Sequence, residues 1–162
     1  MSMENENFSP AEAREEISEK EFLGEFCFNM DTKGRITLPV KFREELGEGF
    51  YVTKGYEGCL SIFDREHWIR FSAGIKQLPS TNKAARFVQR TFLSGADKPE
   101  PDKQGKILIS LSHREYAGLS KEVVIAGVGD HIEIWDKQRW DDYNNDESMS
   151  LEAAAEGLER FM

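Results

Sequence analysis

Hydrophobic residues along this chain fall in short clusters, and the clusters occur twice in the same order. A short apolar stretch at residues 26–30 runs into the polar turn Asp31-Thr32-Lys33-Gly34-Arg35, and branched apolar residues follow at 36–38. A run of that composition leaving a glycine turn predicts a strand. Positions 40–46 carry the spacing of a short amphipathic helix, and Gly47 beyond them suits the left-handed residue that closes helices. Two further strands are expected at residues 50–53 and 60–63, joined by a glycine-containing turn. The same β-α-β-β order then returns. A strand at 107–109 leads to a helix at 111–117 closed by Gly118, then to strands at 123–126 and 131–135. Within the last, Ile132-Glu133-Ile134 alternates apolar and polar, as a strand with one wet face does.

Residue identity supports a duplication. Asp31, Gly34 and Ile36 match Asp102, Gly105 and Ile107 at an offset of 71, as do Arg43-Glu44 with Arg114-Glu115 and Gly47 with Gly118. One extra residue in the loop at 119–122 shifts the offset to 72. Val52, Gly55, Ile62, Asp64 and Trp68 then match Val124, Gly127, Ile134, Asp136 and Trp140. A single gap placed in a loop is how a true repeat behaves.

Helices link and flank the two units. Asp64 is placed to cap a helix whose Trp68, Phe71, Ile75 and Leu78 form one apolar stripe, ended by Pro79-Ser80. A second helix is expected over about 82–93, and Asp136 opens the corresponding helix after the second unit. Ser150 caps a last helix with Leu151, Ala154, Ala155 and Leu158 on one side. Ser9-Pro10-Ala11-Glu12 fits a capping box, although so few apolar residues follow that a loosely held tail is expected. The division expected is therefore an acidic tail at 1–20, a first unit with its helix at 21–80, a linker helix at 81–98, a second unit at 99–143 and an acidic amphipathic helix at 144–162.

Charge changes this picture less than its sum suggests. The chain of 162 residues has a net charge of −9, but residues 1–20 hold −4 of it and residues 141–162 hold −6. The central part is balanced at +1, so a basic face remains open to it. No apolar run approaches the roughly 18 residues of a membrane span, and the acidic start lacks the pattern of a secretory signal, so a cytoplasmic protein is expected. Cys27 and Cys59 stand apart, without metal or disulfide spacing, and read as reduced, partly buried thiols.

An enzyme would need converging chemistry. His67, His113 and His131 share no ligand spacing, so no metal is expected. Gly127-Val128-Gly129 lacks the third glycine of a dinucleotide loop and, by its repeat partner Gly55-Tyr56-Glu57, reads as a hairpin turn. Neither a phosphate-binding loop nor a nucleophile elbow occurs. The expectation is a protein without enzyme activity, cofactor or small-molecule substrate.

The paired turns are the candidate site. Asp31 and Asp102 are suited to accept backbone N–H groups, and Gly34 and Gly105 to supply a positive φ. Arg35 and Lys106 leave the turns next to Lys33 and Lys103. Multiplied by assembly, such turns form a row of cations for phosphates and base edges; alternatively they are well-capped hairpin turns with solvated charges. Lys83, Arg86 and Arg90, at helical spacing, allow either a supplementary phosphate contact or inter-subunit ion pairs. Arg43 and Arg114, each beside a Glu, read as intrahelical ion-pair residues.

From about Phe22 to Tyr143 the sequence resembles the MraZ family of bacterial regulators, related to the AbrB-like swapped-hairpin fold. The first half carries DTKGR at 31–35 followed by Leu38-Pro39-Val40-Lys41-Phe42-Arg43. It continues with Thr53-Lys54-Gly55, Gly58-Cys59-Leu60 and Phe92-Leu93-Ser94-Gly95-Ala96. The second carries DKQGK at 102–106, Arg114-Glu115-Tyr116-Ala117-Gly118-Leu119, Lys121 to Val124 and Ile134-Trp135. The resemblance implies a mainly β, α+β double-split β-barrel assembled into a homo-oligomeric ring. It also implies a nucleoid-associated repressor that binds double-stranded DNA. The expected sites are short direct repeats upstream of its own operon, within the division and cell-wall gene cluster. The family pattern D-x-x-x-R places the basic residue on DNA. Arg35 fits, whereas Lys106 departs, keeping the charge without the bidentate fork. The rival is an antitoxin-like protein-interaction module whose acidic tails wrap a basic partner.

Overall fold

The computed structural model describes residues 20–162, so the capping box at Ser9 and the acidic tail around it lie outside the described residues. Strand β1 (Phe22–Asn29) is followed by β2 (Arg35–Thr37), helix α1 (Val40–Leu46), β3 (Tyr51–Lys54) and β4 (Leu60–Phe63). Helices α2 (Arg65–Lys76) and α3 (Lys83–Gln89) come next, and α3 runs into a π turn at Arg90–Ser94. The second unit comprises β5 (Lys106–Leu108), α4 (Leu111–Ala117), β6 (Glu122–Gly129) and β7 (Ile132–Asp136). Helices α5 (Lys137–Asn144) and α6 (Leu151–Gly157) close the chain. From the Asp–Gly turn onward both units keep the order β-α-β-β, and in the first the extra strand β1 precedes it.

The halves do not stand side by side as beads. One five-stranded antiparallel sheet runs β1-β6-β7-β4-β3, and a two-stranded ribbon pairs β2 with β5. Each sheet therefore contains strands from both halves. The register shows a pseudo-two-fold axis. In the ribbon Ile36 pairs with Ile107, its own repeat equivalent. In the large sheet Ser61 pairs with Glu133, again equivalent positions, and Leu60 with Ile134 matches Ile62 with Ile132 across that point. Ile36, Leu38, Phe42, Ile62, Ile107, Ile125, Ile132 and Ile134 are all buried in one apolar core shared by the two halves.

The sheet does not close on itself among the described residues, so the expected double-split barrel is not shown as a closed one: β1 ends the sheet on one side and β3 on the other, where only the Val52–Asp97 bridge extends the pairing. The π turn, which takes up residues 93 and 94, and proline account for the short pairing on the β3 side. Strand β1 forms an eight-pair ladder with β6, from Phe22–Gly129 to Asn29–Glu122. Its repeat counterpart around residues 93–100 contains Pro99, with Pro101 close behind, and proline cannot donate to a ladder. Pairing there shrinks to the single bridge Val52–Asp97, held by two N–H···O bonds of 2.8 Å.

Smaller expectations are also revised. The apolar stretch at 26–30 belongs largely to a longer strand, Phe22–Asn29, whose start is anchored by the fully buried Phe22. Gly127 lies inside β6 opposite Gly24, and the chain reverses two residues further on, at Gly129, where Val128 N–H donates to His131 O. Gly118 ends α4 in the left-handed region, whereas Gly47 has positive φ but extended ψ. Asp64 precedes α2 without capping it, since its carboxylate is bonded to His67 Nδ1 inside the core. Asp136 and Ser150 do cap, accepting from the N–H groups of Arg139 and Ala153. Cys59 is fully buried and Cys27 exposed, so neither matches the partly buried pair expected.

Candidate nucleic-acid interface

Each turn is built by its own aspartate. Asp31 Oδ1 accepts the N–H of Lys33 at 3.0 Å and of Arg35 at 2.8 Å. Asp102 Oδ1 accepts those of Gln104 and Lys106, both at 2.9 Å. The main chain repeats the pattern, with Asp31 N–H donating to Arg35 O and Asp102 N–H to Lys106 O, each at 2.9 Å. These bonds favour the charged carboxylates. Donation from the N–H of Arg35 to Asp31, and of Lys106 to Asp102, outweighs partial burial and holds both below the usual range. Gly34 and Gly105 take φ of +85° and +77°.

Why only glycine fits has a second reason. A Cβ on Gly34 would lie 2.7 Å from Arg114 Cζ, and one on Gly105 would fall on the Arg43 guanidinium. The two contacts are related by the pseudo-dyad: each half's helix arginine covers the other half's turn. Arg43 and Arg114 therefore form none of the expected intrahelical ion pairs among the described residues. Arg114 Nε instead donates to Ile109 O at 3.0 Å. Their equivalent positions in the repeat were the sequence signal for this shared role. The main chain locks the same crossing, with Ile109 N–H to Gly34 O at 2.9 Å and Leu38 N–H to Gly105 O at 3.3 Å.

Alternation along the ribbon does the rest. Ile36 and Ile107 point into the core, while Arg35, Thr37, Lys106 and Leu108 occupy the opposite face. The turns thus bring Arg35 and Lys106 onto one partly exposed surface, with Lys33 and Lys103 exposed beside them. The cations are not equivalent. Arg35 Nε donates to Asp31 Oδ2 at 2.8 Å, and its Nη1 lies 3.8 Å from Asp102 Oδ2. Lys33, Lys103 and Lys106 form no side-chain ion pair among the described residues. One arginine is aimed by carboxylates and three lysines are left as mobile point charges.

The second basic group sits elsewhere in the fold. Lys83 and Arg90 are exposed on α3 and its π turn, but Arg86 is half-buried and its Nη1 closes the preceding loop on Ser80 O at 2.9 Å. Arg139, not singled out in the sequence, joins the halves by donating to Gly58 O at 3.3 Å and Tyr116 O at 3.2 Å. No helix of the described residues is long and apolar enough to cross a membrane.

Comparison with known proteins agrees with the doubled architecture. The family model of the MraZ protein, whose description also carries the term antitoxin-like, matches residues 22–91 and again 92–161. The chain is 48% identical over 137 residues to a protein of Acetivibrio thermocellus, covering 85% of this chain and 96% of that one. It is 47% identical over 141 residues to one of Carboxydothermus hydrogenoformans, covering 87% and 99%. Against one of Finegoldia magna it is 45% identical over 137 residues, covering 85% and 96%. All three relatives bear the name transcriptional regulator MraZ, which names no enzyme activity and agrees with the expectation of none. Two copies of the family unit, locked together across one pseudo-dyad, and relatives matched over nearly their whole length place this chain in the MraZ family.

Proposed function

We propose that the chain is a transcriptional regulator that binds specific double-stranded DNA through the β2–β5 ribbon face. The observation that supports this most is the union of two rigid Asp–Gly turns on one surface, bearing Arg35 and Lys106 with Lys33 and Lys103 at its margins. An arginine held by a carboxylate has lost part of its conformational freedom before binding and keeps N–H groups for a guanine edge. The lysines suit phosphates, where position matters less than charge. Four cations bind weakly alone. Copies joined in a homo-oligomeric ring would gain effective concentration on several short direct repeats, and repression of its own operon in the division and cell-wall cluster follows that reading. The functional division proposed is the two units at 21–80 and 99–143 joined through 81–98, working in the cytoplasm at the nucleoid.

Retardation and footprinting on the DNA upstream of the gene, across a salt series, test the proposal. Arg35→Ala is expected to reduce discrimination by about 1–3 kcal/mol, roughly 5- to 150-fold, with fold intact. Lys106→Ala should weaken all sequences alike and reduce the salt slope by about 1. Unchanged specific binding by Arg35→Ala overturns the assignment. No retardation at any salt overturns DNA binding itself and favours the protein-interaction module.

A further inference from the structure

Two surfaces of the chain are left open, and they are opposite in chemistry. One is the helical pair α2 and α3. From Arg65 to Ser94 there are six basic residues and one acid, Glu66. Each helix also exposes a large apolar side chain among these charges. Ile69 of α2 is 56% exposed and Phe87 of α3 is 72% exposed. On α3 the exposed residues Lys83, Phe87 and Arg90 follow at four- and three-residue steps, so they share one stripe. An apolar ring flanked by two cations is a receptor for something acidic with an apolar edge.

The other surface is the C-terminal segment. Residues 141–162 hold seven acids and one base. Helix α6 places Leu151, Ala154 and Ala155 on one side, with Leu158 directly after it, while Glu152 and Glu156 line the neighbouring side. Leu151 is 81% exposed and Leu158 50%, so the apolar side is not covered by its own chain. The tether at 145–150 spans up to about 20 Å when extended, which gives α6 reach away from α5.

We propose that the C-terminal segment of one subunit docks on the α2–α3 surface of a second copy of this chain. The proposal rests on the reading that the protein self-assembles, and supplies its contact. Leu151 and Leu158 lie against Phe87, and Glu152 and Glu156 face the basic residues of the helical pair. Because the donor and acceptor surfaces differ, each subunit can give one arm and receive another. A contact of that kind propagates head to tail and closes into a ring when its rotation allows. Lys83 and Arg90 are thereby assigned to a neighbouring subunit rather than to DNA.

The test is solution mass of the full chain by native mass spectrometry or light scattering, with circular dichroism to confirm that each variant folds. Wild type is expected as a multiple of the 18.6 kDa subunit. Phe87→Ser alone, and Leu151→Ser with Leu158→Ser, should each lower the mass to 18.6 kDa. Mixing these two variants is diagnostic, since one keeps an intact arm and the other an intact receptor surface. The mixture should give a complex of two chains, about 37 kDa, and nothing larger. If wild type is oligomeric and both variants keep its mass, this contact is wrong while self-assembly stands. A monomeric wild type removes both. Loss of DNA retardation by Lys83→Glu with Arg90→Glu at unchanged mass would assign the stripe to DNA and also overturn the proposal.

Discussion

Gly105 and Arg43 show how tightly single positions are constrained. Substituting Ala at Gly105 combines a left-handed backbone, costing about 1–2 kcal/mol, with a Cβ placed on the Arg43 guanidinium. Gly105→Ala should therefore lower stability by more than the backbone cost alone, read as a fall in melting temperature. Gly49 has a φ of +76° but no atom within 4 Å of a Cβ, and its Ala variant should show only the backbone part. Equal effects at the two glycines would remove the role given to Arg43. The thiols are a second contrast. Burial, reinforced by the nearby Glu133 carboxylate, pushes the Cys59 thiol well up, whereas Cys27 is exposed on an edge strand. A thiol reagent should modify one cysteine in the native protein and two after unfolding; two rapid native reactions would contradict the burial of Cys59.

At the scale of elements, the ribbon is the least replaceable part. Ile36 and Ile107 face each other at the pseudo-dyad, both fully buried. Ile107→Ala should cost about 2–5 kcal/mol, a large share of the roughly 5–15 kcal/mol that holds a domain together. Denaturant midpoints would measure it; a loss below 1 kcal/mol would mean that the ribbon does not seal the core. Here too the limits of the sequence are clearest. The helices Val40–Leu46 and Leu111–Ala117 were legible because glycines mark their ends and apolar spacing marks their faces. The Asp–Gly turns were legible because every bond that closes them is local. Which strand pairs with which was not, since β1 finds its partner in β6 about a hundred residues away. Pro99 and Pro101 stood in plain view, but that they shorten a ladder follows only once Val52 is known to lie opposite Asp97. Arg43 was misread for the same reason: its neighbour Glu44 is adjacent in sequence, while its contact, Gly105, lies across the dyad.

Over the whole sequence, charge is divided between a balanced centre and two acidic ends, and a titratable cluster lies at the axis. Burial would lower the pKa of His131, but hydrogen bonds and charges from Glu133 and Asp130 outweigh it and leave the value raised. Stabilisation from this histidine is complete below its unfolded value near 6.5 and is lost as pH rises through the folded value. Glu133 behaves oppositely. Burial would raise it, yet bonds from His131 and Trp135 lower it, so its contribution is lost as pH falls through its depressed value. Melting temperature measured from pH 4 to pH 9 should decline above about pH 6.5, and less steeply for His131→Gln; parallel curves would dismiss the cluster as a source of the slope.

The pseudo-dyad carries one more consequence. Two separate identical chains meeting at such an axis would present the same residue twice, and their outer surface would look alike from either end. Joining the copies in one polypeptide lifts that restriction, and the equivalent positions 35 and 106 hold different residues, Arg35 and Lys106. The ribbon now has a head and a tail. Any polymer laid along it would meet a carboxylate-anchored arginine before a lysine, or the reverse, so the two directions along the surface are chemically different.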